Sequence, residues 1–102
     1  MFARDVSIRL KPNTLQEFTV AFERDILPIL RKQDGFRDQF MLAADASAPH
    51  VDAISLWDTR EQADAYDIAI YPGIVQSLDR FFDALPTVRV TTIVSSTLHG
   101  LE

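Results

Sequence analysis

At 102 residues, 47% hydrophobic and 25% charged, the chain has the size and composition of one globular domain, 1–102, able to bury a modest core. Ten basic against fifteen acidic residues give a net charge of −5, which excludes the basic stripe that nucleic acid requires. Cysteine is absent, ruling out disulfides and thiolate chemistry, and no apolar run approaches the ~18 residues of a membrane span.

Arg4 and Asp5 stand where a signal peptide needs an apolar run, so a cytoplasmic protein without membrane partners is expected. Val6, Ile8 and Leu10 alternate with polar neighbours and predict a first strand, ended by Pro12-Asn13. Thr14 and Glu17 form a capping box ahead of Leu15, Phe18, Phe22, Ile26 and Ile29, a helix-period stripe. Pro28 is expected to kink the last turns of that helix, and Gly35 to stop it.

Phe36 to Ala43 reads as a second strand, with Phe36, Phe40 and Leu42 on one side and Met41 and Ala43 on the other. A polar loop, Ala44 to His50, leads to a third strand, Val51 to Trp57, so these two strands are expected to pair as an antiparallel hairpin. The strand ends at the only tryptophan, and Thr59 with Gln62, or Asp58 with Glu61, offers a second capping box.

Ala63, Tyr66 and Ile70 share one face of the following helix, while Asp64, Asp67, Asp79 and Asp83 read as solvated faces and Arg60 with Asp64 as a weak i,i+4 pair. Tyr71-Pro72-Gly73 interrupts the run, yet Pro72 suits the start of a new helix carrying Ile74, Leu78 and Phe81. Two short helices and one bent helix fit equally well. Val88, Val90, Thr92 and Val94 alternate as the last strand.

Strand, helix, strand, strand, helix, strand is the split βαβ order, an α+β ferredoxin-like fold with both helical segments on one face of a four-stranded antiparallel sheet. Apolar or neutral residues toward both sides of the strands, among them Met41, Ala43, Ala53, Trp57, Thr91 and Ile93, leave a second sheet face to cover. A homodimer packed sheet to sheet covers it.

The run Leu30-Arg31-Lys32-Gln33-Asp34-Gly35-Phe36, the strand end Leu56-Trp57-Asp58-Thr59 followed by Glu61-Gln62-Ala63, and the Tyr71-Pro72 break resemble the antibiotic biosynthesis monooxygenase superfamily across essentially the whole chain. The resemblance implies a dimeric α+β barrel, an uncharacterised branch, and a cofactor-independent monooxygenase or related small catalyst acting on an aromatic or quinone-like molecule. It assigns no catalytic residue. Haem-degrading relatives use a strand Asn with a helical Trp and His; here Val6 and Tyr66 stand at the matching positions and the helical His is missing. Relatives that oxidise aromatic polyketides place an Asn near a Trp; Trp57 matches that Trp, but Ala53 and Ser55 supply no amide.

Cofactor-free oxygenation of an electron-rich phenol or anthrone needs a dry aromatic pocket and groups that favour the anion. Phe22, Trp57, Tyr66 and Tyr71 are the candidate substrate-binding residues, against the plain alternative that they only pack. His50 and His99 have no metal-type spacing, so no metal site is expected and each reads as a lone exposed histidine. Ser95-Ser96-Thr97 lacks a base and proposes no nucleophile. The alternative to an enzyme is a non-catalytic dimeric ligand-binding or interaction module of the same fold.

Overall fold

The computed structural model describes residues 1–98; His99 lies outside them. The strands are β1 (Phe2–Arg9), β2 (Phe36–Ala43), β3 (His50–Trp57) and β4 (Thr87–Thr92). They form one antiparallel sheet in the order β2-β3-β1-β4, the arrangement expected of the split βαβ order. Helices α1 (Leu15–Ala21), α2 (Leu27–Leu30), α3 (Arg60–Ala69) and α4 (Tyr71–Leu78) cover one face. Val6, Ile8, Val51, Ala53 and Trp57 from the strands meet Phe18, Phe22, Tyr66, Ile74 and Phe81 from the helical side in a single core.

The first helical segment is less regular than a kinked helix. Phe22–Ile26 between α1 and α2 is a π-helical turn, in which the Leu27 amide donates to the Phe22 carbonyl five residues back. Pro28 supplies the cause: it has no amide hydrogen, and its ring crowds the carbonyl four residues earlier, so the preceding turn widens. The capping box at Thr14 does not form, because its hydroxyl donates to the Lys11 carbonyl at 2.7 Å.

At the other helical start, Thr59 caps α3 by accepting from the Gln62 amide at 3.2 Å. Only this half of the box forms: the Gln62 side chain folds against Gly35, whose φ of 82° and missing Cβ make room for it. Gly35 also accepts a 2.8 Å bond from the Asp58 amide, tying the β2 entry to the β3 exit. The second helical segment resolves into two helices. Ile70 caps both helices, its backbone φ of −115° setting them apart, and Pro72 sits in the first turn of α4, where its missing donor costs nothing. The Arg60–Asp64 pair is present at 3.9 Å.

The sheet faces differ from the alternation expected for β2. A bulge between Phe36 and Asp38 inserts one residue, so Phe36 pairs with Trp57 on the helical side and Met41 with Ala53 on that side as well. The open face is built from the rows Asp38–Leu56–Ala3–Thr91, Phe40–Ile54–Asp5–Arg89 and Leu42–Asp52–Ser7–Thr87. Of the residues expected to make that face apolar, Met41, Ala43, Ala53 and Trp57 lie on the opposite side, and Phe40, Leu42 and Ile54 take their place, Leu56 in the same rows being already buried. Its β2–β3 half is apolar and its β1–β4 half polar. Among the described residues, no helix is long and apolar enough to cross a membrane.

Candidate functional site

Between the sheet and the helices lies a small cavity of about 40 Å³, bordered by Val6, Ile8 and Ala53 below and by Phe22, Tyr66 and Tyr71 above. Three of the four aromatic candidates therefore meet around one space. Trp57 does not border it. Its indole is fully buried, donates to Ser55 Oγ at 2.8 Å, and packs between Phe36 at 5.7 Å and Tyr66 at 5.1 Å, ring centre to ring centre. It backs the wall that Tyr66 presents.

The charge in this site is Arg4. It lies in phase with Val6 and Ile8 on β1, so its side chain enters the core, where it is 2% exposed. Burying a guanidinium is costly unless the charge is compensated, and three neighbours do so. Arg4 Nη2 lies 2.6 Å from Asp67 Oδ1 on α3. Its guanidinium carbon sits 4.0 Å from the centre of the Tyr71 ring and 5.0 Å from that of Tyr66. Asp67 is thus not simply a solvated helix residue, although half its side chain meets water.

The polar atoms of the site are incompletely satisfied. Arg4 Nε, Gln39 Nε2 and Tyr71 Oη are buried without a hydrogen-bond partner, and all three residues border the same cavity. A buried donor without a partner forfeits roughly 1–3 kcal/mol. Burial pushes the Tyr66 phenol up to about 12, Arg4 acting in the opposite direction, and raises Tyr71 for the same reason. Both phenols are protonated at neutral pH. The site thus offers a permanent cation and neutral donors, with no anion of its own except the Asp67 carboxylate on its far side.

Arg4 and Gln39 are absent from the candidates drawn from the sequence. The alternation of β1 carried the signal for Arg4: two residues before Val6 in a strand is the same face. For Gln39 no signal existed, because the bulge at the start of β2 decides which way it points.

A second polar group lies on the open sheet face, in a shallow hollow of about 590 Å³. His50 Nε2 is 3.5 Å from Asp52 Oδ2 and 3.4 Å from Ser7 Oγ. Both partners address the same ring nitrogen, so no proton relay runs through the imidazole, which needs its two nitrogens on different partners. The Asp5 carboxyl is raised from its ordinary value, chiefly by burial and then by the charge of Asp52. Among the described residues no group of three or more potential ligands is placed to hold a metal ion.

No family model matches the sequence, and no curated protein is significantly similar to it. Solved structures do match. The ActVA-Orf6 monooxygenase of Streptomyces coelicolor, solved in complex with nanaomycin D, superposes with a TM-score of 0.79 at 15% identity over 95% of this chain and 90% of that one. A structure described as an antibiotic biosynthesis monooxygenase matches at 0.72 and 14% identity over 93% and 100%. A Nitrosomonas europaea protein of unknown function matches at 0.73 and 15% identity over 95% and 92%. The chain has the α+β ferredoxin-like fold of the antibiotic biosynthesis monooxygenases.

Proposed function

We propose that the chain binds a small aromatic or quinone-like molecule between sheet and helices and oxygenates it without a cofactor, as a monooxygenase or related small catalyst. The observation that carries this reading is the convergence of the unpartnered Arg4 Nε, Gln39 Nε2 and Tyr71 Oη on one otherwise apolar cavity. A phenol oxygen entering there meets a fixed positive charge, which favours its ionised form.

The chemistry then follows from the substrate. A phenol or anthrone gives up its proton to solvent, and the electron-rich anion passes one electron to dioxygen. Recombination forms a carbon–oxygen bond, and the protonated peroxide loses water to leave a carbonyl. One oxygen atom stays in the product and the other leaves as water; all four electrons that dioxygen takes up come from the substrate. Arg4 holds the anion, while Tyr66 and Tyr71 remain protonated and act as packing surface and donor. The nanaomycin D in the Streptomyces coelicolor neighbour supports a small-molecule ligand for this fold.

Two further parts of the reading concern setting. A homodimer, with the apolar β2–β3 half of the open face covered by a second copy, is supported by the exposed Phe40 and Leu42 and the partly exposed Ile54 standing together there. A cytoplasmic location fits a chain without cysteine.

The second reading, a non-catalytic dimeric module, is favoured by one specific observation: the cavity is small and Trp57 is fully packed. Oxygen uptake with dihydroxyanthrone separates the two. The enzyme reading expects uptake faster than in protein-free buffer, formation of the anthraquinone, and loss of about 10²-fold or more in Arg4→Met, in the range for removing one oxyanion contact. Binding of the compound without any acceleration of uptake selects the non-catalytic module instead.

A further inference from the structure

The cavity that Arg4 faces measures about 40 Å³, space for a water or so and far below the ~300–1,000 Å³ of ligand sites. An aromatic ring does not fit unless a wall moves. Immediately beside it, between the first helical segment and strand β2, runs an outer groove of about 570 Å³. The cavity and the groove share two walls, Phe22 and Gln39. With those two side chains displaced, the joined space falls within the size range of ligand sites.

These walls stand on the least regular elements around the cavity, although Phe22 itself is a buried core residue. Phe22 opens the π-helical turn, where the regular ladder is interrupted and Pro28 follows closely. Gln39 Nε2 has no partner to lose on moving. It stands on β2, an edge strand with one neighbour and without a fully buried residue along its length. The remaining floor, Val6, Ile8 and Ala53, belongs to the two central strands, which are paired on both sides. Local opening draws on the least stable elements, so the edge beside the π turn gives way before the sheet centre.

We infer that the site is entered sideways between the π-helical turn and β2, with Phe22 and Gln39 as the gate, and that its ligand is a fused-ring molecule with an oxygen at one end. The oxygen meets Arg4, and the far ring occupies the groove against Leu27 and Met41. This rests on the ligand reading above. A single-ring phenol leaves the groove empty, so Phe22, Gln39 and Met41 determine specificity for ring number.

Stopped-flow quenching of Trp57, the only tryptophan, tests the gate with hydroxynaphthalene and dihydroxyanthraquinone as probes. Phe22→Ala is expected to speed association of the three-ring probe by about tenfold or more, with Phe22→Leu and Gln39→Ala giving smaller gains in the same direction. Phe22→Leu and Gln39→Ala keep the test alive if the larger truncation unfolds. Quenching in the wild type that disappears in Arg4→Met, with association rates in all gate variants within about twofold of wild type, overturns the gate and leaves the ligand reading standing. Quenching that persists in Arg4→Met, or its absence from wild type and gate variants alike, overturns both.

Discussion

Arg4 and Tyr71 meet face to face inside the core, guanidinium over phenol ring at 4.0 Å, with Asp67 closing the other side of the charge at 2.6 Å. The pair explains how a strand with a buried arginine is tolerated, since stacking and ion pairing replace the water that the cation gives up. Arg4→Met keeps a linear side chain in place of the aliphatic stem, though a shorter one, and removes both the charge and the need to satisfy it. Its stability is expected to fall by about 2 kcal/mol, less than for a fully buried pair, because the Asp67 carboxylate left without its partner is half exposed and regains water. Arg4→Ala, which leaves a void, is expected to cost about 2–5 kcal/mol. Urea unfolding measures both; a collapse of Arg4→Met comparable to Arg4→Ala would show that the charge, not the volume, holds this region.

Trp57 is expected to matter for stability and only indirectly for binding. Trp57→Phe removes part of a fully buried side chain and its bond to Ser55, for a loss of about 1–3 kcal/mol. Circular dichroism during urea unfolding measures it, since the fluorophore is gone. Affinity for dihydroxyanthraquinone in the folded variant, followed by absorbance, should change little; a loss beyond about tenfold would place the indole in the site itself.

Tyr66 links the site to alkaline stability. Its phenol ionises in the unfolded chain near the ordinary 10.0 but in the folded protein only at about 12. Between these values the unfolded chain sheds a proton that the folded one retains, so stability falls as pH rises from 10.0 and levels off above about 12. The loss is on the order of 2 kcal/mol. Tyr66→Phe should flatten that decline, which thermal unfolding across the alkaline range will register; an equal decline in wild type and variant would remove Tyr66 as its source.

Gly35 is a backbone requirement. Its φ of 82° disfavours any side chain, and a Cβ there runs into the Gln62 side chain. Gly35→Ala is expected to destabilise by more than about 1 kcal/mol. Gly35→Ala combined with Gln62→Ala should recover the part due to the collision with Gln62 Cδ and Oε1, but neither the part due to Gln62 Cβ at 2.8 Å, which alanine keeps, nor the part due to the dihedral. A double variant no more stable than Gly35→Ala alone would assign the cost to the dihedral and the close approach of Gln62 Cβ, and none of it to the rest of the Gln62 side chain.

The proposed dimer makes the open face testable. Ile54 lies at its centre, between Phe40 and Asp5. Ile54→Lys is expected to give monomers by light scattering at micromolar concentration while retaining the native circular dichroism spectrum. A wild-type monomer under the same conditions rejects sheet-to-sheet assembly. Asp5→Asn bears on the same face: its carboxyl is held above the ordinary 3.8, so its ionisation opposes folding as pH rises past that value. The variant should therefore melt higher than wild type at neutral pH and converge with it in acid.

Much of the architecture was legible because it depends on short-range pattern. The alternation of Val6, Ile8 and Leu10, the cap at Thr59 and the break at Tyr71-Pro72 each follow from neighbours a few residues apart, and together they dictate the strand and helix order. The glycine expected to stop the first helix does not, since α2 ends at Leu30 and Gly35 belongs to the turn into β2. The same local information reads Tyr71 only as part of a break, but places Phe22 and Tyr66 on inward helix faces. It did not reveal that Pro28 acts on the turn before it, since a π turn leaves the apolar period nearly unchanged.

What only the tertiary structure decided is which inward residues share a space. One inserted residue in β2 reverses the parity of the strand, sending Gln39 to the cavity and Phe40 to the open face, and parity is set by pairing with β3. Arg4 needs Asp67, which is 63 positions away, before a charge on that strand face is affordable. Trp57, prominent in the sequence as the one indole, is behind the wall because Ser55 satisfies its N–H and two rings fill its surroundings. Periodicity decides whether a side chain turns inward; long-range pairing decides what it finds there.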